Sequence, residues 1–175
     1  MRRGRLGSGC IESRSMKPTL YIETTIPSYL TAWPSRDKLR AVHQAITREW
    51  WQKRRRYFDL RISQLVEDEC LAGDSKAAAE RMIPLKGVLR LEIPDQAIVI
   101  AEEFIRRHAL PVRAAKDALH VAIAATNGVH FLLTWNCRHL NNGEIYPKIK
   151  ALCEKNGCAC PVIVTPAELM GATKL

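Results

Sequence analysis

Residues 116–140, KDALHVAIAATNGVHFLLTWNCRHL, restrict what this chain can fold into more than any other stretch. The first half reads as a helix. Leu119, Val121, Ala122, Ile123 and Ala125 spread apolar surface around so much of it that most of the helix must be buried. Asn127-Gly128 offers a C-terminal cap, because both residue types tolerate positive φ. His130-Phe131-Leu132-Leu133 is then a short apolar run suited to a strand covered on both faces, as in parallel sheets. Two polar residues sit at positions of consequence. Asp117 opens the helix, where a carboxylate needs the helix N-terminus, a cation or a metal. Asn136 follows the strand, and the carboxyl ends of parallel strands are where open α/β sheets place ligands.

The rest of the chain alternates in the same way. Thr19-Leu20-Tyr21-Ile22 is a strand that stops at an acid, Glu23. Residues 28–33 read as a turn or short helix, and 36–57 as a long helix with Leu39, Val42, Ile46, Trp50 and Trp51 at helical spacing. Its end, Lys53-Arg54-Arg55-Arg56, is favoured by the helix macrodipole; it reads as a solvated face or as a phosphate-tracking patch. Residues 59–63 form a second strand, with Ser63 placed to cap a helix carrying Glu67, Asp68 and Glu69 and ended by Gly73. A helix follows over 75–85 with Ala79, Met82 and Ile83 inward. Then come a strand over 88–93, a helix opened by Pro94-Asp95 and running to His108, and a break at Pro111. After the central stretch come a helix over 145–155, a strand over 161–164 and a terminal helical turn over 165–169. This alternation predicts a three-layer α/β/α sandwich around a central, mainly parallel sheet.

A chain of 175 residues is one domain by size, and no apolar run is long enough to span a membrane. The formal net charge of +9 favours a polyanionic partner such as nucleic acid or an acidic protein segment. Residues 1–15 carry Arg2, Arg3, Arg5 and Arg14 without an apolar core, which does not fit a secretory signal. They are expected to be a disordered extension, with the folded domain spanning 16–175 and beginning at Met16. The six cysteines are expected to be free thiols in a reducing, cytoplasmic setting. The spacing of Cys153, Cys158 and Cys160 lacks the paired CxxC form of structural zinc sites.

Four polar positions remain: Glu23 after the first strand, Glu69 on the helix after the second, Asp117, and Asn136 after the fourth. If the first and fourth strands are neighbours, all four converge on one cleft. Clustered carboxylates repel unless a cation holds them, and an all-oxygen set suits Mg²⁺ or Mn²⁺. Such an ion acidifies a bound water and neutralises charge at a phosphate.

The ordered blocks YIETTIPSYL (21–30), ISQLVEDE (62–69), KDALHVAIAA (116–125), LLTWNCRHL (132–140) and TPAEL (165–169) resemble those of PIN-domain nucleases. The resemblance is strongest to the VapC-type toxins of bacterial toxin–antitoxin pairs, and it spans about residues 17–170. It implies a Mg²⁺- or Mn²⁺-dependent endoribonuclease that hydrolyses RNA phosphodiesters, partners a cognate antitoxin protein and forms a homodimer. It implies that Glu23, Glu69, Asp117 and Asn136 are the catalytic and metal-holding set. Thr24, Lys116, Thr134 and Arg138 flank them as substrate-binding candidates, with Thr24 and Thr134 reading equally as strand-end caps that hydrogen-bond the acids.

The chain departs from the family where aspartate is usual at both 23 and 136. Glu23 reaches further, and Asn136 removes a negative charge while keeping an oxygen able to meet a hard cation. The competing expectation is a catalytically weakened PIN fold that binds RNA or protein. A dinucleotide-binding Rossmann domain fits poorly, since ETTIPS after the first strand has no glycine-rich phosphate loop. His120, one helical turn after Asp117, reads as a hydrogen-bonded core histidine or as a base. His139 reads as a phosphate contact. Trp135 reads as a packed anchor or a base-stacking surface, and Trp33, Trp50 and Trp51 as core or as an interface groove.

Overall fold

The computed structural model describes residues 17–171. Five strands form one parallel sheet: β1 (Thr19–Ile22), β2 (Asp59–Ser63), β3 (Leu89–Leu91), β4 (Phe131–Leu133) and β5 (Val162–Val164). Their order across the sheet is β3-β2-β1-β4-β5. Seven helices connect them: α1 (Thr25–Thr31), α2 (Lys38–Lys53), α3 (Gln64–Leu71), α4 (Ser75–Met82), α5 (Asp95–Arg106), α6 (Ala115–Thr126) and α7 (Tyr146–Lys155).

The strand order fixes where the helices lie. The chain steps outward from β1 to β2 to β3, then returns across the sheet to β4 and β5. Parallel crossovers are right-handed, so the reversal of direction puts α1–α4 on one face and α5–α7 on the other. This is the expected three-layer sandwich. The direction changes between β1 and β4, which pair directly through Leu20 with Phe131, Tyr21 with Leu132 and Ile22 with Leu133. The crevice beyond the carboxyl ends of these two strands is the switch point of the sheet. Leu20, Tyr21, Ile22, Leu132 and Leu133 are wholly buried, as is α6 from Val121 to Ala124, so the central stretch is the middle of the core.

Several local features differ from the sequence expectation. The long helix is α2 followed by one 3₁₀ turn, Arg55–Tyr57, and it does not bury Leu39 or Val42, which are 65% and 52% exposed. Its inward stripe is Gln44, Thr47 and Trp50. The polar members are admitted because each has partners: Gln44 bonds Ser35 N and Trp33 O, and Thr47 receives the indole N–H of Trp135. On α4 the buried residue is Ala78 rather than Ala79, and Ile83 is exposed. β3 keeps only three of the six expected residues, and residues 166–169 form a turn rather than a helix. The cationic cluster at 53–56 lies where α2 leads into the start of β2, at the end of the sheet opposite the crevice. There Arg54 and Arg56 cover the Tyr57 ring and Arg55 covers Trp51.

No described helix is long and apolar enough to cross a membrane. The expectation for residues 1–15 concerns positions outside the described ones. Cys70, Cys137, Cys153, Cys158 and Cys160 are free thiols, and the last three do not converge as a metal site among the described residues.

Candidate metal and active site

Glu23 follows β1 without a break. Its amide donates to Leu133 O at 3.1 Å, extending the β1–β4 pairing by one residue and placing the side chain at the mouth of the crevice. The carboxylate is nearly buried, and one oxygen is fully engaged. Oε2 accepts from the Thr25 amide at 3.1 Å, the Thr25 hydroxyl at 2.5 Å and the Thr134 hydroxyl at 2.8 Å. Oε1 takes no hydrogen bond from the described residues, and no described cation pairs with this carboxylate. Thr134 is completely buried, so its hydroxyl serves Glu23 and the Asn136 amide.

Glu69 comes to the same crevice from the last turns of α3. Its Oε2 accepts from the Thr24 hydroxyl at 2.5 Å and meets His120 Nε2 at 2.9 Å, while Oε1 lies 3.5 Å from Lys116 Nζ. Burial alone would raise its pKa. The hydrogen bonds from His120 and Thr24, with the electrostatic pull of His120 and Lys116, overcome that and hold it at about 2. Glu69 is therefore ionised at neutral pH.

His120 is held from its other side. Its Nδ1 lies 2.9 Å from the Tyr21 hydroxyl, which lies 2.6 Å from Ser63 Oγ. All three side chains are buried. Burial pushes the Tyr21 phenol well above its usual range, so it keeps its proton. In the neutral tautomer whose Nε2 donates to the ionised Glu69, Nδ1 accepts from Tyr21, and Tyr21 in turn accepts from Ser63. One directional chain, Ser63 to Tyr21 to His120 to Glu69, thus fixes the carboxylate. Ser63 stands at the N-cap of α3 but makes no side-chain cap bond, because its hydroxyl is given to Tyr21.

Asp117 lies in the first turn of α6, half-buried. Burial raises its pKa, and Glu69 adds to the rise; Asn136 and the electrostatic pull of His120 and His139 oppose it without cancelling it. Asn136 Oδ1 accepts from the His139 amide at 3.1 Å, which leaves the amide nitrogen as the group turned to Asp117. Lys116 and Arg138 are exposed at the rim, whereas His139 is half-buried with its Nδ1 unpartnered.

The four expected residues therefore do gather at one crevice, but not as equals. One ligand atom each from Glu23, Glu69 and His120 lie within 4.8 Å of one another, and Asp117 stands outside that set. The open pocket beside them, about 340 Å³, is lined by Glu23, Thr24, Thr25, Tyr29, Glu69 and Lys116 among others. The donor chemistry fits a hard divalent ion. Each glutamate has one oxygen tied to the scaffold and the other free or facing only the exposed Lys116, and like charges this close need a cation between them. Sequence reasoning missed Thr25 and Tyr21. Tyr21 was detectable in principle, since strand periodicity puts it on the same face of β1 as Glu23.

No family model matches the sequence, and no curated protein matches it. Solved structures do. VapC20 of Mycobacterium tuberculosis, described as a sarcin–ricin loop-cleaving toxin, superposes with a TM-score of 0.52 at 18% identity, over 74% of this chain and 95% of that one. The VapBC2 complex of Rickettsia felis, bound to a DNA fragment of its promoter, superposes with a TM-score of 0.50 at 13% identity, over 84% and 98%. The chain thus has the fold of PIN-domain VapC toxins.

Proposed function

We propose that this protein is a divalent-cation-dependent endoribonuclease and the toxin of a toxin–antitoxin pair. The observation that carries the reading is the pairing of Glu23 and Glu69 at the switch point of a VapC-like fold. Each is clamped through one oxygen and presents the other to a common pocket. Bound there, Mg²⁺ or Mn²⁺ would supply an acidified water and neutralise charge developing at a phosphodiester.

The chain's own residues do the rest. Glu23 and Glu69 would hold the ion, and Asp117, outside their close set, would add a third carboxylate near it. Thr24, Thr25 and Thr134 fix the two glutamates, His120 and Tyr21 orient Glu69, and Asn136 orients Asp117. Lys116 and Arg138 draw the RNA backbone to the rim, helped by the net charge of +9. In this reading the partner is an antitoxin protein, the toxin is a cytoplasmic homodimer, and the folded domain begins near residue 16.

The test is cleavage of RNA by purified protein with Mn²⁺ or Mg²⁺. Wild type should cut, and Asp117→Asn and Glu23→Gln should not. Wild type equally inert with both metals across several RNAs would sink the enzyme reading. The second reading, an RNA- or protein-binding module without turnover, draws support from Asn136, whose amide supplies no charge to the site. Calorimetry showing RNA binding without Mn²⁺ binding would select it.

A further inference from the structure

Three aromatic rings that the site chemistry does not use stand next to the acidic pocket. Tyr29 on α1 forms part of the pocket wall. His43 on α2 and Trp135 after β4 lie face to face, with centroids 4.0 Å apart and planes 12° apart. Tyr29 lies 6.2 Å from His43 and 6.4 Å from Trp135, at 23° and 29°. Three elements thus bring nearly parallel rings to one place, and each ring is only half-buried.

The cluster is also rigidly joined to the carboxylates. The Trp135 amide donates at 2.9 Å to the Thr25 hydroxyl, which itself donates to Glu23 Oε2. The far end of the indole is fixed by its N–H on the buried Thr47 hydroxyl at 2.7 Å. Two α2 side chains keep the helix at this spacing from α1: Arg48 reaches Leu30 O and Ala32 O, and Gln44 reaches Trp33 O. Trp50 on the same helix as His43 is by contrast wholly buried, so these three rings keep surface open to solvent that Trp50 does not.

We propose that Tyr29, His43 and Trp135 form a base-stacking subsite, which holds an unpaired nucleobase of an RNA strand whose phosphate lies over Glu23 and Glu69. Every nucleobase has a π face, so parallel rings bind single-stranded RNA without needing its sequence. Lys116, in the wall of the acidic pocket, and the exposed Arg138, three residues after Trp135, supply complementary charge for the backbone. The subsite selects unpaired RNA over duplex, because a base must leave its stack to enter. This assignment rests on the nuclease reading of the adjoining pocket.

The experiment compares two polyanions, a short fluorescein-labelled oligoadenylate and inorganic polyphosphate of similar charge, with Ca²⁺ replacing Mg²⁺ to prevent turnover. Wild type should bind the oligoadenylate more tightly. His43→Ala and Tyr29→Ala should each weaken that binding about fivefold to a hundredfold, while polyphosphate binding stays within about twofold. His43→Phe, which keeps a flat ring, should restore the preference. Thermal melting establishes that each variant is folded, and Trp135→Ala serves as a further variant. If oligoadenylate affinity is unchanged in folded His43→Ala and Tyr29→Ala, the subsite is refuted while the nuclease reading stands. If wild type binds neither RNA nor Mn²⁺, both fall together.

Discussion

Tyr21→Phe removes one oxygen from the middle of the buried chain that orients Glu69. The ring is wholly buried and the substitution preserves its shape, so little cavity is created. Two partners lose a bond, Ser63 Oγ and His120 Nδ1. Their losses are unequal. Ser63 already occupies the N-cap position of α3, so its freed hydroxyl can turn to the first-turn amides it now neglects. His120 is 1% exposed and has no such alternative, leaving a buried ring nitrogen unpaired. That costs about 1–3 kcal/mol, or roughly 2–12 °C in melting temperature for a domain of this size.

Urea unfolding followed by circular dichroism should show a lower midpoint at unchanged slope. The double variant Tyr21→Phe, Ser63→Ala should be less stable than Tyr21→Phe alone, because the cap that rescues Ser63 has gone. Affinity for Mn²⁺ should fall as well, since His120 no longer has a fixed tautomer to present to Glu69. A stability loss below about 0.5 kcal/mol would refute the directional chain, as would unchanged Mn²⁺ affinity.

Asp117→Asn should raise the melting temperature of metal-free protein while abolishing RNA cleavage. Burial raises the Asp117 pKa, so its charge opposes folding above that value, and an amide removes the cost; a destabilised variant would contradict this. The Glu69 pKa is depressed, so its contribution to stability is complete above its ordinary value of 4.5 and disappears as pH falls towards about 2. Acid titration of the Glu69→Gln variant should therefore lack part of the wild-type decline between those limits. Glu103, whose carboxylate ties Lys155 and Asn156 of the α7 end to α5 and is likewise held at about 2, predicts a second such loss. Glu103→Gln should lower the melting temperature at pH 7 but hardly at pH 2, and equal shifts at both would discount the ion pairing.

The layered fold was legible because its central strands and most of α6 are apolar, a pattern that burial in an α/β core satisfies. Where the sequence misled, a tertiary partner outweighed a local rule. Leu39 and Val42 have helical spacing, yet α2 turns inward a stripe whose Gln44 and Thr47 are acceptable only because Trp33, Ser35 and Trp135 meet them. Ser63 has the right type and place for a helix cap, but Tyr21 takes its hydroxyl. The gathering of Glu23, Glu69, Asp117 and Asn136 at one crevice followed from strand ends and block order. The division of labour among them did not. That Asn136 offers its nitrogen to Asp117 depends on the loop reaching His139, and that Thr25 clamps Glu23 depends on a turn no pattern encodes.

The crevice draws on segments spread over more than a hundred residues of chain, and β1 has no neighbour on its β4 side until that strand exists. During synthesis on the ribosome, β1 and α3 emerge well before the strand that closes the pocket and leads into Thr134. A half-made chain thus lacks the Thr134 hydroxyl that holds Glu23, and Glu23 and Glu69 face one pocket in their final geometry only once β4 has paired with β1.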